Sequence, residues 1–111
     1  MSKLQEILIE RKYYLVDEPA AEVTISVARP CKDDTGFYRC FYDIHGCGQN
    51  RVHSIAGIDE LDALMNALEM IGSWMNGVND TEYGGRLRWV GCGEDGDLGL
   101  PTVEHRCRMS P

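Results

Sequence analysis

Long apolar runs, catalytic motifs, paired metal-ligand cysteines and an excess of positive charge are all missing from this chain, and each absence removes a class of protein. No apolar stretch approaches the ~18 residues of a membrane-crossing helix. The start, Met1-Ser2-Lys3-Leu4-Gln5-Glu6, lacks the apolar centre of a signal peptide, so the expectation is a cytoplasmic protein that does not engage a membrane. Five cysteines, Cys31, Cys40, Cys47, Cys92 and Cys107, are an odd number without a C-x-x-C pair, which argues against a disulfide scaffold or a zinc knuckle. With 11 Lys and Arg against 18 Asp and Glu, the net charge is −7, which repels nucleic acid and anionic lipid.

What is present fits one soluble domain. The chain has 111 residues, 43% hydrophobic and 26% charged, a composition that supports a modest core and is unlike a disordered tail. We read 1–101 as a single α+β domain and 102–111, with His105, Arg106, Cys107 and Arg108 and no periodicity, as a loosely ordered tail. The charge is segregated. From Asp59 to Asp97 nine acids face only Arg86 and Arg88, which accounts for the whole net charge, while the other acids and bases balance.

Leu4 to Val16 sets Ile7, Ile9, Tyr13 and Leu15 against Glu6, Glu10, Lys12 and Tyr14, the alternation of a half-buried strand. After Asp17-Glu18-Pro19-Ala20, Val23, Ile25 and Val27 alternate with Glu22, Thr24 and Ser26 as a return strand that Arg29-Pro30 ends. Pro30 to Gly36 reads as a polar loop. In Phe37–His45, Tyr38, Cys40, Tyr42 and Ile44 share one face, with Cys40 a small core residue. Gly46-Cys47-Gly48-Gln49-Asn50 reads as a hairpin loop before a fourth strand, Arg51 to Ala56, with His45 opposite Arg51 and Asp43 opposite His53. Asp59 suits a helix N-cap, with Glu60 and Asp62 in the positive first turn. The stripe Leu61, Leu64, Met65, Leu68, Ile71 and Met75 forms an apolar face of a helix of about 17 residues that stops at Gly77. Asn79 to Gly85 reads as a connector, Leu87, Trp89 and Val90 as a short last strand, and Gly93 to Pro101 as an acid-rich loop. The order β-β-β-β-α-β predicts an antiparallel sheet of about five strands with one amphipathic helix across one face. Tyr14, Arg39, Phe41, Asp43 and His53 would lie on the other.

His45, Cys47 and His53 are the weak candidates for a zinc site, because imidazole and thiolate are the right ligands and a hairpin brings them near one another. Against that, Cys40 and His45 point to opposite strand faces and no paired-ligand spacing exists. Cys47 between two glycines is accessible enough for a nucleophile with His45 or His53 as base, yet nothing supplies an oxyanion hole or an orienting residue. Asp43 and His53 read as a solvated cross-strand pair. Glu94-Asp95-Gly96-Asp97 lacks the spaced ligands and closing Glu of an EF-hand. No catalytic residue and no cofactor is assigned.

Four segments together, Ala28-Arg29-Pro30, Ala56 to Gly72, Gly85 to Gly91 and Asp97 to Pro101, resemble a family of small uncharacterised bacterial domains. Its marks are an Arg-Pro after an early strand, a Gly-x-Asp start to the helix, a Leu-x-Trp strand and a closing Leu-Gly-Leu-Pro. The resemblance spans Ile7 to Pro101, leaving the cysteine-bearing hairpin and the tail outside the pattern. It implies a bacterial cytoplasmic protein with a compact α+β fold, and it brings no established activity.

The expected function is a small acidic protein-interaction module, most concretely an immunity or antitoxin-type inhibitor that masks a basic toxin site. Asp80, Glu82, Glu94, Asp95 and Asp97 would form its charged rim, and Trp74 and Trp89 would be core residues rather than anchors. The alternatives are a small-ligand or metal-binding module using the 45–53 hairpin and a structural subunit of a homodimer or larger homo-oligomer joined through the outer sheet face. An enzyme ranks last. The same net charge would also serve solubility alone.

Overall fold

The computed structural model describes residues 6–90 and 97–101. The elements are β1 (Ile7–Leu15), β2 (Glu18–Ala28), β3 (Cys31–Lys32), β4 (Tyr38–Gly46), β5 (Gln49–Gly57), α1 (Glu60–Thr81) and β6 (Leu87–Arg88). Every pairing is antiparallel: β4 lies between β5 and β2, β1 pairs with β2, and β6 pairs with the end of β1 at Tyr14 and Leu15. With α1 packed on one face, the domain is α+β. No helix among the described residues is long and apolar enough to cross a membrane.

The predicted loop after Pro30 contains a strand. Cys31 pairs with Arg39 and Lys32 with Tyr38, so β3 continues the line of β2 along β4. Between Val27↔Tyr42 and Cys31↔Arg39 the first chain spends one more residue than the second, a bulge at Arg29-Pro30 where proline has no N–H to donate.

The hairpin also differs by one residue. Only Cys47 and Gly48 separate β4 from β5, with φ of 51° and 87°, the two positive values of a type I′ turn. That tight turn pairs His45 with Asn50, Asp43 with Val52 and Tyr42 with His53. A one-residue slip reverses every face, so His53 belongs to the helix-covered side with Tyr42 and not to the outer side with Asp43.

The helix-side face of the sheet supplies Tyr13, Leu15, Val23, Ile25, Val27, Cys40, Tyr42 and Ile44 to the core, as the alternation predicts. The helix stripe is rotated from expectation. Ala63, Ala67, Ile71, Met75 and Val78 are buried, while Leu61 is 64% and Met65 36% exposed. Small residues face the sheet because the backbones nearly touch: a Cβ on Gly57 would stand 2.2 Å from the Ala63 nitrogen. The bulkier leucines and methionines are left to the flanks.

The start of α1 is as predicted: Asp59 accepts a 2.7 Å hydrogen bond from the Asp62 N–H. Its end is not at Gly77. The helix runs 22 residues to Thr81, and Glu82 caps it through an N–H to the Val78 carbonyl. The turn out uses Gly84 and Gly85, at φ of 57° and 77°, the left-handed region glycine tolerates. The last strand is Leu87–Arg88 only, with Val90 outside it and 98% exposed.

Two helix glycines separate packing from propensity. A Cβ on Gly72 would meet the Pro101 carbonyl oxygen at 2.1 Å, whereas nothing lies within 4 Å of one on Gly77. Gly77→Ala is expected to stabilise the protein by about 0.5–1 kcal/mol. Gly72→Ala should destabilise it by about 1–3 kcal/mol, the cost of overpacking. Urea unfolding of the two variants checks both signs.

Candidate functional site

Residues Asp97–Pro101 form a strap across the helix side of β1. Tyr13 donates through its hydroxyl to the Leu98 carbonyl at 2.6 Å, and Arg11 Nη1 donates to the Leu98 and Gly99 carbonyls at 3.1 and 2.9 Å. Arg11 also lies over the Trp89 ring, with Cζ 3.9 Å from its centre, and Trp89 Nε1 donates to the Asp97 carbonyl. Gly99, at φ +66°, lies so close to Trp89 that a Cβ would meet its Cζ2 at 2.4 Å. Leu98 is buried and Pro101 reaches Gly72 of α1. Between strap, helix and sheet lies a groove of about 320 Å³ lined by Ile9, Arg11, Ile25, Val27, Leu68 and Leu100.

A second constellation stands where the β4–β5 hairpin meets the end of α1. Tyr83 donates to the Cys47 carbonyl at 2.8 Å, and Gln49 Nε2 donates to Tyr83 and to the Glu82 carboxylate. Trp74 Nε1 donates to Gln49 Oε1, and Arg51 lies over the Trp74 ring at 4.1 Å. The two tryptophans, expected in the core, are each half-buried with a guanidinium on one face. Glu18 and Glu22, at the start of β2, close this end. Cys47 Sγ lies 3.5 Å from the Glu22 carbonyl, which accepts its S–H. Burial first, then the negative charges of Glu18 and Glu22, push the Cys47 thiol above its ordinary pKa. The sulfur is therefore held as the thiol, the opposite of an activated nucleophile.

The outer face carries a polar row. Asp43 is 7% exposed and its carboxylate lies 3.1 Å from His45 Nδ1, two residues along the same strand, in place of the expected His53. Beside it Ser26 donates to Glu10. His53 instead stacks on Tyr42, ring centres 6.0 Å apart, on the helix side. His45, Cys47 and His53 thus occupy the outer face, the hairpin tip and the inner face, and do not converge. Among the described residues no group of three His, Cys, Asp or Glu side chains has the arrangement to hold a metal ion.

The expected rim is divided. Asp80 and Glu82 are exposed at the end of α1. Asp97 is on the strap, where its carboxylate accepts from the Gly99 N–H at 2.9 Å. Glu94 and Asp95 lie outside the described residues, as do Cys92, Cys107 and the tail from Thr102. Sequence reading missed Gln49 and Tyr83, which join Glu82 only through folding, Glu18 and Glu22, which come near Cys47, and Arg11, whose partners are 87 and 88 residues away.

A helix laid across an antiparallel sheet and tied down by a C-terminal strap defines a small α+β domain with a groove on one side and an acid-lined end. The chain belongs to the family described as Domain of unknown function (DUF6968), whose model matches residues 9–102. No curated protein and no solved structure matches it.

Two thiols, Cys40 in the core and Cys47 at the hairpin tip, give a test of these environments. Burial pushes Cys40, with no exposed surface, up to about 11 from 9.0. Its native value lies above the unfolded one, so the stability linked to it is intact below about pH 9 and is lost as pH rises through about 11, a loss of about 2–3 kcal/mol. Urea unfolding from pH 8 to pH 11 should show that extra loss in the wild type relative to Cys40→Ala. Site-resolved alkylation by iodoacetamide at pH 8 should find Cys47 slower than glutathione and accelerated in Glu22→Gln.

Proposed function

We propose that the protein is a small acidic interaction module that presents the hairpin end of its sheet to a basic partner protein. An immunity or antitoxin-type inhibitor that covers a cationic toxin site has this character, and a bacterial cytoplasm is the setting such a reading supposes. The observation that carries the reading is the last turn of α1, which holds no basic residue while Asp80 and Glu82 stand at the helix's negative pole. Each such carboxylate opposes the dipole by about 0.3–1 kcal/mol. Glu18 and Glu22 add negative charge near Cys47 at the hairpin, where burial first and then that charge raise the thiol's pKa. An arrangement that works against the protein's own stability is characteristic of residues kept for binding. A positive partner relieves the repulsion, and the long-range field speeds encounter at low salt.

The outer sheet face supports a second reading, self-association, because Phe41 and Val52 are 39% and 41% exposed there. Sedimentation across a concentration series checks it, and a monomer throughout would remove it.

The test of the main reading is capture of the tagged protein from its native lysate at about 50 mM and about 500 mM salt, where screening differs severalfold. A stoichiometric basic protein should co-elute at low salt and weaken at high salt. The variant Glu18→Gln, Glu22→Gln, Asp80→Asn, Glu82→Gln should lose it, and Asp80→Asn alone should raise stability by about 0.3–1 kcal/mol. A partner that the fourfold variant keeps, with unchanged salt dependence, would sink the reading.

A further inference from the structure

We propose that the groove between α1 and β1–β2 binds a small amphiphilic carboxylate, its aliphatic chain against the apolar walls and its carboxylate on Arg11. The residues involved are separate from the acidic end, so this site stands apart from the interaction reading. Its volume of about 320 Å³ lies at the lower end of the range for small-molecule sites. Ile25, Val27, Leu68 and Leu100 supply an aliphatic lining, and Ile9 keeps 48% of its surface in water, area that a bound chain would cover.

Arg11 is the cationic side chain in that lining. Every hydrogen bond it makes to a described residue runs through Nη1, to the Tyr13 hydroxyl and the carbonyls of Leu98 and Gly99. With the ring of Trp89 against it as well, the guanidinium is fixed in place before any ligand arrives. The Nε and Nη2 edge, the pair of parallel donors that matches a carboxylate, makes no hydrogen bond to a described residue. Glu10 also borders the groove, but its carboxylate accepts from Ser26 on the outer face of the sheet, which leaves the positive charge of Arg11 to select an anion.

Isothermal titration of the full chain with sodium octanoate, octan-1-ol and sodium acetate tests the site. Octanoate is expected to saturate at one per chain, with octanol and acetate each about tenfold weaker or more, since one lacks the charge and the other the chain. Ile9→Glu, at a half-exposed position outside the core, should leave the protein folded, as its circular dichroism checks, and weaken octanoate at least about tenfold, because a carboxylate then stands at the groove. Arg11→Lys, which keeps the charge and loses the fork, should also weaken it. The proposal is overturned if octanoate shows no saturable binding, if octanol binds equally well, or if Ile9→Glu binds octanoate as the wild type does. A dimer indifferent to the probe would give the groove to a second copy, and nuclear Overhauser contacts from residues 102–111 to Leu68 in a protein that ignores octanoate would give it to the chain's own end. Either result also overturns the proposal.

Discussion

At two points along α1 the backbone has no room for a side-chain carbon beside it: Gly57 beneath Ala63, and Gly72 against the Pro101 carbonyl. These contacts set the height of the helix above the sheet and the position of the strap beside the helix. From them follows the choice of Ala63 and Ala67 as buried residues, and the displacement of Leu61 and Met65 to the flank. The groove follows as well. A helix held close to β5 at its start cannot also cover β1, and the strap bridges the remaining width only where Tyr13 and Arg11 hold it.

The polar chemistry is organised by the same geometry. Arg11 on Trp89 and Arg51 on Trp74 place two cations on half-buried indoles, one at the strap and one at the hairpin end. In each case the indole N–H is also used, by the Asp97 carbonyl and by Gln49. A tryptophan so engaged contributes packing on one face and a fixed charge on the other. Asp80 and Glu82 stand at the end of the helix, on the hairpin side rather than on the groove.

Much of the fold was legible because period-2 alternation in Tyr13–Leu15, Val23–Val27 and Cys40–Ile44 states which side is inward. Asp59 announced the helix start. The errors share a cause: local pattern carries no information on distance between elements. Hydrophobicity favoured Leu61 and Met65 for the core, but the space there admits only alanine. Gly77 looked like a stop, yet it is an exposed helical residue, and the actual exit is fixed by Glu82 bonding back to Val78 and by left-handed Gly84 and Gly85. In the hairpin, five plausible loop residues concealed a two-residue turn, and that single step moved His53 across the sheet. Glu18 and Glu22 balance against bases in a linear count, so their place near Cys47 was not visible before folding. The groove was invisible for the same reason, its parts coming from β1, β2, α1 and the strap.

The strap joins Tyr13 to Leu98 across 85 residues of sequence. Closing so long a loop is entropically expensive until sheet and helix are already in place. The strap's hold on the sheet rests on buried Leu98 and on the hydrogen bonds that its carbonyls accept from Tyr13 and Arg11. One set of contacts thus does two things at once: it closes the wall of the groove and holds the guanidinium that lines it, so neither can be lost without the other.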